Sequence, residues 1–373
     1  MTATAGPPVI VAWGAGVDST AMILEMATRR QRIDMVLIAQ MPEKPETQAF
    51  IPAFRRWMDD RDIPNEIVAN RPRRFGTSPA YFDLLEACLI NGALPSIAFG
   101  RGTCSLRWKV SPQDAWTKTW PPAQQAWATS QKVIRLIGFD SSLRDSRRYA
   151  HAEGYSSSLY TYRYPLREWG WGRDACNERI RQAGFEVPAS SCFFCTGMQC
   201  DEVRALPAWC LRLIILMEAR AKPRLKSCEG LWRSTTKGLR GREARPGSMT
   251  RFIRDEGLLP AHEIDWIAGE ANADLTAFLS RAAALPFERR QTMHSWINGF
   301  IAHEVRAPDS HPEKQEDRRQ YDAEPRQPFP IPPPSQARRA RQVPISPPAD
   351  PARSGGGGEC RAAKKRPRHM ETD

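Results

Sequence analysis

The chain has 373 residues, enough for one large or two medium domains with a proper core, and 41% of them are hydrophobic. No apolar run approaches the ~18 residues of a membrane span, and the longest, "CLRLIILM" from Cys210, falls far short. The net charge of +12 favours an anionic partner, a nucleotide or a nucleic acid, over a membrane; arginines that merely solvate the surface are the competing explanation.

Along the chain, "VIVAW" (Val9–Trp13) predicts a first strand and "STAMILEMATRR" a helix with Ala21, Leu24 and Ala27 or Thr28 on one side. "MVLIAQ" (Met35–Gln40) predicts a second strand. "ETQAFIPAFRRWMDDR" follows as a helix disturbed at Pro52. "NEIVAN" (Asn65–Asn70) is a third strand, "PAYFDLLEACLI" a helix, and "VIRLIGF" (Val133–Phe139) a further strand. Short apolar runs without alternation suit strands buried on both faces. Their alternation with helices predicts an α/β fold with a doubly wound, mainly parallel, Rossmann-like sheet.

Residues 140–200 are rich in arginine and aromatics, with a less regular pattern. A helix is expected from Asp201 to about Ala221, and further helices over 223–304, including "AHEIDWIAGEANADLTAFLSRAAAL". The division is therefore a nucleotide-binding domain over 1–222, a helical extension over 223–304, and a tail over 305–373. That tail is proline-rich, then glycine-rich, then basic, so it is expected to be disordered. Its "KKRPRH" end suits either nucleic acid or plain solvation. The N-terminal stretch lacks a basic start and a secretory apolar segment, so no signal peptide is expected and the compartment is read as cytoplasmic.

The turn "GAGVDS" joins the first strand to the first helix. Unpaired backbone N–H groups and the helix dipole favour phosphate at such a place. Small residues at Gly14, Ala15 and Gly16 let the backbone approach, and Asp18 and Ser19 are candidate helix caps, with Ser19 also a phosphate donor. Two other phosphate loops are excluded by spacing. The dinucleotide G-x-G-x-x-G needs glycine where Ser19 stands, and Walker A needs G-K-S/T after a longer loop.

The spacing instead resembles the S-G-G-x-D-S loop of the ATP pyrophosphatase (PP-loop) superfamily. Gly14 stands in place of its serine and Ala15 in place of its first glycine. Further segments resemble phosphoadenosine phosphosulfate (PAPS) reductase-like proteins of that superfamily, over about residues 9–220. They are "PEKPETQAF" (Pro42–Phe50), "RGTCSLRWKVSPQ" (Arg101–Gln113), "IGFDSSLRDSRR" (Ile137–Arg148) and "YPLREWGWGRDACNERIRQAGFEVPASSCFFCTGM" (Tyr164–Met198). The resemblance implies an adenine nucleotide alpha hydrolase-like fold and an enzyme that uses ATP or PAPS, with magnesium as a companion ion. It places the nucleotide on Gly14, Ala15, Gly16, Asp18, Ser19, Glu46, Thr47, Arg101, Gly138, Asp140 and Arg144. It gives Lys109 and Arg147 catalytic, charge-neutralising roles.

Nine cysteines in a chain of this length are too sparse for a secreted disulfide framework, so they read as free thiols open to metal or redox chemistry. Cys192 and Cys195 form a C-x-x-C pair, and Cys104 and Cys176 lie in the other family-like segments. Four such thiolates suit an iron–sulfur cluster or a structural zinc, with Cys200 as an alternative fourth ligand. Relatives that carry a four-iron four-sulfur cluster near the nucleotide make a cluster the implied occupant. Cys88 and Cys210 sit in helical patterns and read as core.

The reductases' E-C-G-x-H nucleophile has no counterpart. Cys360 follows Glu359 in the glycine-rich tail without the later Gly and His, and Cys228 has the wrong order. Three functions therefore stand open. One is an enzyme that adenylates a substrate with pyrophosphate release, with sulfur transfer from a donor or redox protein to follow. The second is a PAPS reductase. The third is a nucleotide-sensing or nucleic-acid-binding module of a phage or mobile element. DNA or tRNA is a candidate partner or substrate under the first or third, and the oligomeric state is left open.

Overall fold

Five short strands, β1 (Val9–Ala12), β2 (Met35–Ala39), β3 (Asn65–Val68), β4 (Val133–Ile137) and β5 (Tyr160–Arg163), form one sheet in the computed structural model. The structure describes residues 6–71, 75–99, 103–238 and 243–305. Arg101 and the tail of residues 306–373, with Cys360, lie outside them. The sheet order is β3-β2-β1-β4-β5, and every pairing is parallel. Neighbouring residues of β1 serve opposite faces. Val11 packs with Met22, Leu24, Phe54 and Ile180, whereas Ile10 packs with Leu37, Val133 and Ala123. Both faces are therefore covered, as a doubly wound α/β fold requires.

The helices that cover the sheet start with α1 (Val17–Thr28), α2 (Pro45–Asp59) and α3 (Leu84–Asn91). The short α4 (Thr103–Ser105), α5 (Ser111–Thr117) and α6 (Pro121–Ala128) follow, then α7 (Leu143–Glu153), α8 (Pro165–Glu168) and α9 (Arg173–Gln182). α10 (Cys200–Arg204), α11 (Ala208–Ala221), α12 (Met249–Asp255), α13 (Ala261–Trp266), α14 (Asn272–Ala283) and α15 (Met293–Ala302) complete the described chain. α11 is the axis of a second hydrophobic cluster, which runs from Leu84 of α3 through Phe193, Phe194 and Ile214 to Leu275 and Phe300. The helices of residues 223–304 thus close directly onto α11. Among the described residues no helix is long and apolar enough to cross a membrane.

Several local expectations are corrected. α2 runs unbroken through Pro52. Pro52 is exposed, so the Gln48 carbonyl that loses its helical partner can turn to water. The helix expected from Asp201 to Ala221 is interrupted, because Pro207 supports extended backbone and becomes the start of α11. α3 begins only at Leu84, where the Asp83 carboxylate accepts the Glu86 N–H at 2.9 Å. β5 lies inside the stretch read as irregular.

Candidate nucleotide-binding site

The sheet order reverses at β1, whose neighbours β2 and β4 lead the chain in opposite directions. The crevice beyond the carboxyl ends of β1 and β4 is where such folds bind ligands. Gly14–Gly16 follows β1 into that crevice, and Gly138–Asp140 follows β4. α1 starts at Val17 with Gly16 as its N-cap, and no side chain caps it. This corrects the expectation that Asp18 and Ser19 cap the helix. The Ser19 hydroxyl instead folds back, accepting the Gly14 N–H at 3.1 Å and approaching the Gly16 carbonyl at 3.4 Å. Trp13 Nε1 donates to Thr20 Oγ1 at 3.0 Å and fixes the turn from below.

Ala15 is fully buried with φ of 53°, the left-handed region that costs an L-residue roughly 1–2 kcal/mol. The backbone shape is thus one a glycine would adopt freely, at the position where the resembling loop has glycine. Gly138 is needed for a different reason. A Cβ there would lie 2.8 Å from Ser19 N and 2.9 Å from Ser19 Cα. The end of β4 presses on the first turn of α1, and a side chain would push the amides away.

One flank of the turn is acidic. Asp18, Asp140 and Asp145 each place a carboxylate oxygen within 4.8 Å of the others. Asp140 and Asp145 are 1% and 3% exposed. Arg173 reaches Asp18 at 3.1 Å and Asp140 at 3.8 Å. Asp140 accepts the Ser142 N–H at 2.9 Å and the Ser142 hydroxyl, and its own N–H points to Asp145 Oδ2 at 3.4 Å. Oxygen donors of this kind suit a hard divalent cation such as magnesium. Cys176, on α9, belongs to this flank. Burial and the charges of Asp18 and Asp140 push its thiol up to about 12.

The opposite flank carries sulfur. The segment from Ser190 to Cys195 lies against the loop after β2. Lys44 N–H donates to the Ser191 carbonyl at 3.0 Å, Phe193 N–H donates to the Pro42 carbonyl at 3.1 Å, and Glu43 bridges to Cys192. The Ser190 hydroxyl donates to the Gly14 carbonyl at 2.6 Å and also reaches Glu43 Oε2 at 3.3 Å. One hydroxyl therefore joins the cysteine segment to the glycine-rich turn. Glu43 is buried and faces Lys109 at 3.5 Å. Burial works against the Lys109 charge, but the Glu43 carboxylate and neighbouring Cys192 outweigh it and raise Lys109. Burial, reinforced by Glu43, raises Cys192 well above the ordinary thiol range, and Cys195 is raised by burial too. Cys104 packs against the same hydrophobic cluster as Cys192 and Cys195.

Cys104, Cys192 and Cys195 are thus brought together, while Cys176 is on the other side of the turn and Cys200 lies beside Glu243 and Arg245. Among the described residues the cysteine sulfurs do not close into a group as tight as the three aspartates. Cys88 and Cys210 are buried, as their helical patterns imply, and Cys88 on α3 also feels Cys104. Desolvated thiols hold their protons and are poor nucleophiles. A thiophilic metal would displace those protons. Cys104, Cys192 and Cys195, with Phe193 and Phe194 beside them, are the sulfur donors nearest such a role, without the close approach that the aspartates show.

The remaining expected residues divide. Thr47 is fully buried near the start of α2, and its hydroxyl has no hydrogen-bond partner among the described residues. Glu46 is turned outward and pairs with Lys44 at 3.4 Å; the carboxylate at the turn is Glu43. Arg144 and Arg147 are on α7, with Arg147 exposed. Asp145, Arg173, Glu43 and Ser190 are the site residues that sequence reasoning misses. Each lies within a segment carrying the resemblance, and that was the available signal. In comparisons with known proteins, no family model and no curated sequence matches the chain.

Proposed function

We propose that the protein binds an adenine nucleotide on the Gly14–Ser19 turn and acts on it as an enzyme of the PP-loop, PAPS reductase-like type. The reading rests chiefly on one observation: at the switch point of the sheet Gly138 lets the end of β4 approach the first turn of α1, a helix start that no side chain caps. Phosphates held there meet Arg173 on the acidic flank and Lys109 on the sulfur flank. Magnesium would neutralise phosphate charge, and Asp18, Asp140 and Asp145 are the residues that would hold it.

In the reaction, an acceptor atom bonds to the α-phosphorus as the bond from that phosphorus to the bridging oxygen breaks. Pyrophosphate leaves with that oxygen, and the acceptor carries AMP. Positioning and charge neutralisation do most of the work. The absence of an E-C-G-x-H nucleophile from the sequence favours this adenylation over the literal reductase. Free thiols in this number suit a reducing cytoplasm. The test is incubation of the purified chain with ATP and, separately, PAPS. The reading predicts ATP binding and acceptor-dependent release of pyrophosphate; a chain that binds neither nucleotide overturns it.

A further inference from the structure

The outer edge of the sheet beyond β5 carries a groove of about 680 Å³. Five of the chain's seven tyrosines line it: Tyr149, Tyr155, Tyr160, Tyr162 and Tyr164. Tyr160 and Tyr164 are buried and belong to the packing, whereas Tyr149 and Tyr162 are half-buried and Tyr155 is 64% exposed and belongs to no helix or strand. Tyr155 meets Tyr162 at 5.7 Å and 61°, and Tyr149 meets Tyr164 at 5.1 Å and 89°. Edge contacts of this sort orient the rings without covering both their faces. Arg163 on its rim is paired with Glu168, which leaves Lys132 and Arg167 as the cations of the groove against Glu153.

Arg167 links the groove to the acidic flank. Its guanidinium lies 4.1 Å from the centre of the Tyr149 ring and donates to the Asp140 carbonyl at 2.7 Å. A chain lying along the tyrosines is thereby led towards the crevice beyond β4. Partly exposed aromatic rings beside cationic groups in an open groove are what a single-stranded nucleic acid needs: stacking for bases and positive charge for the backbone. An extended peptide would use the edge of β5 but would gain little from the exposed phenol rings.

We infer that the tyrosine groove binds single-stranded nucleic acid and presents one of its nucleotides as the acceptor to the site at Gly14–Ser19. The second half of this inference rests on the proposed nucleotide chemistry; the binding itself does not. The test is fluorescence anisotropy of a labelled mixed-sequence single-stranded oligonucleotide titrated with the full chain and with Tyr155→Ala, Tyr162→Ala and Tyr155→Phe. Each alanine variant is expected to weaken binding about fivefold or more, with the loss persisting when salt is raised, whereas Tyr155→Phe keeps its stacking face and its affinity. Tyr155 is outside the core, so its removal leaves the fold intact.

An oligonucleotide carrying a photoreactive base should cross-link within residues 149–167. Wild-type affinity in both alanine variants, or cross-links confined to the basic tail, overturns the inference. ATP binding measured on the same samples separates the two claims. Absent ATP binding with tyrosine-dependent oligonucleotide binding removes the proposed enzyme and keeps the groove. Intact ATP binding with no tyrosine dependence removes the groove alone.

Discussion

The two flanks of the glycine-rich turn are built from opposite materials. On the β4 side, Asp18, Asp140 and Asp145 offer oxygen, with Arg173 as counter-charge. On the β2 side, Cys192 and Cys195 offer sulfur beside the Glu43–Lys109 pair, with Cys104 packed against the same cluster. Hard cations and phosphates belong with the first, thiophilic metals with the second. The difference teaches how one short turn can serve two chemistries. The Ser190 hydroxyl on the Gly14 carbonyl fixes the sulfur side to the turn, and Gly138 fixes the oxygen side.

The sharpest way to break that comparison is to move a metal with a cysteine from the wrong side. Anaerobic purification followed by iron, zinc and sulfide analysis should find metal in the wild-type chain. Cys192→Ser should lose nearly all of it, and Cys176→Ser should retain it. Equal loss in both would mean that the flanks share one metal site. The linked proton effect has a definite sign. Cys192 holds its proton more tightly folded than unfolded, so the stability this brings is present below the ordinary thiol range and is lost as pH rises through the raised value. The metal-free wild type should therefore lose thermal stability at alkaline pH more steeply than Cys192→Ser.

The next largest effect concerns the oxygen side. Gly138→Ala puts a methyl group 2.8 Å from Ser19 N. Overpacking of this kind costs about 1–3 kcal/mol, and displacement of the first-turn amides should weaken ATP binding at least about tenfold, since ~1.4 kcal/mol is one decade. Calorimetric titration and a thermal melt measure the two effects. Metal content should not change, and a parallel loss of metal would tie the flanks together.

The smallest effect is at the turn itself. Ala15→Gly releases the left-handed strain and should stabilise the fold by about 0.5–1 kcal/mol while leaving both flanks as they are. A destabilised variant would show that the buried Ala15 methyl contributes more by packing than its backbone costs.

The features legible in the sequence are those set by local pattern. β1 to β4 are short apolar runs, and the turn after β1 announces itself through Gly14, Ala15 and Gly16. β5 was not legible, because Tyr160-Thr161-Tyr162-Arg163 has no aliphatic side chain and sits in a stretch rich in arginine and aromatics. The pairing of Glu43 rather than Glu46 with the turn was also hidden. Both follow β2, and only the strapping of Ser191 and Phe193 onto Pro42 and Lys44 turns Glu43 inward. Cys176 is grouped with Cys192 because it lies in a segment that carries the resemblance. Its position on α9 instead places it, with Ile180, against the α1 side of the sheet. A nearby spacing in sequence says nothing of which face of a helix meets which neighbour.

The central claim is that an adenine nucleotide rests on the turn between the two flanks. A crystal structure of the chain with a non-hydrolysable ATP analogue and magnesium tests it most directly. The account predicts phosphate oxygens within hydrogen-bond distance of the first-turn N–H groups of α1, with the metal at the aspartates and the cysteine segment untouched. An analogue bound elsewhere, with the Gly14–Ser19 turn free of phosphate, would contradict it.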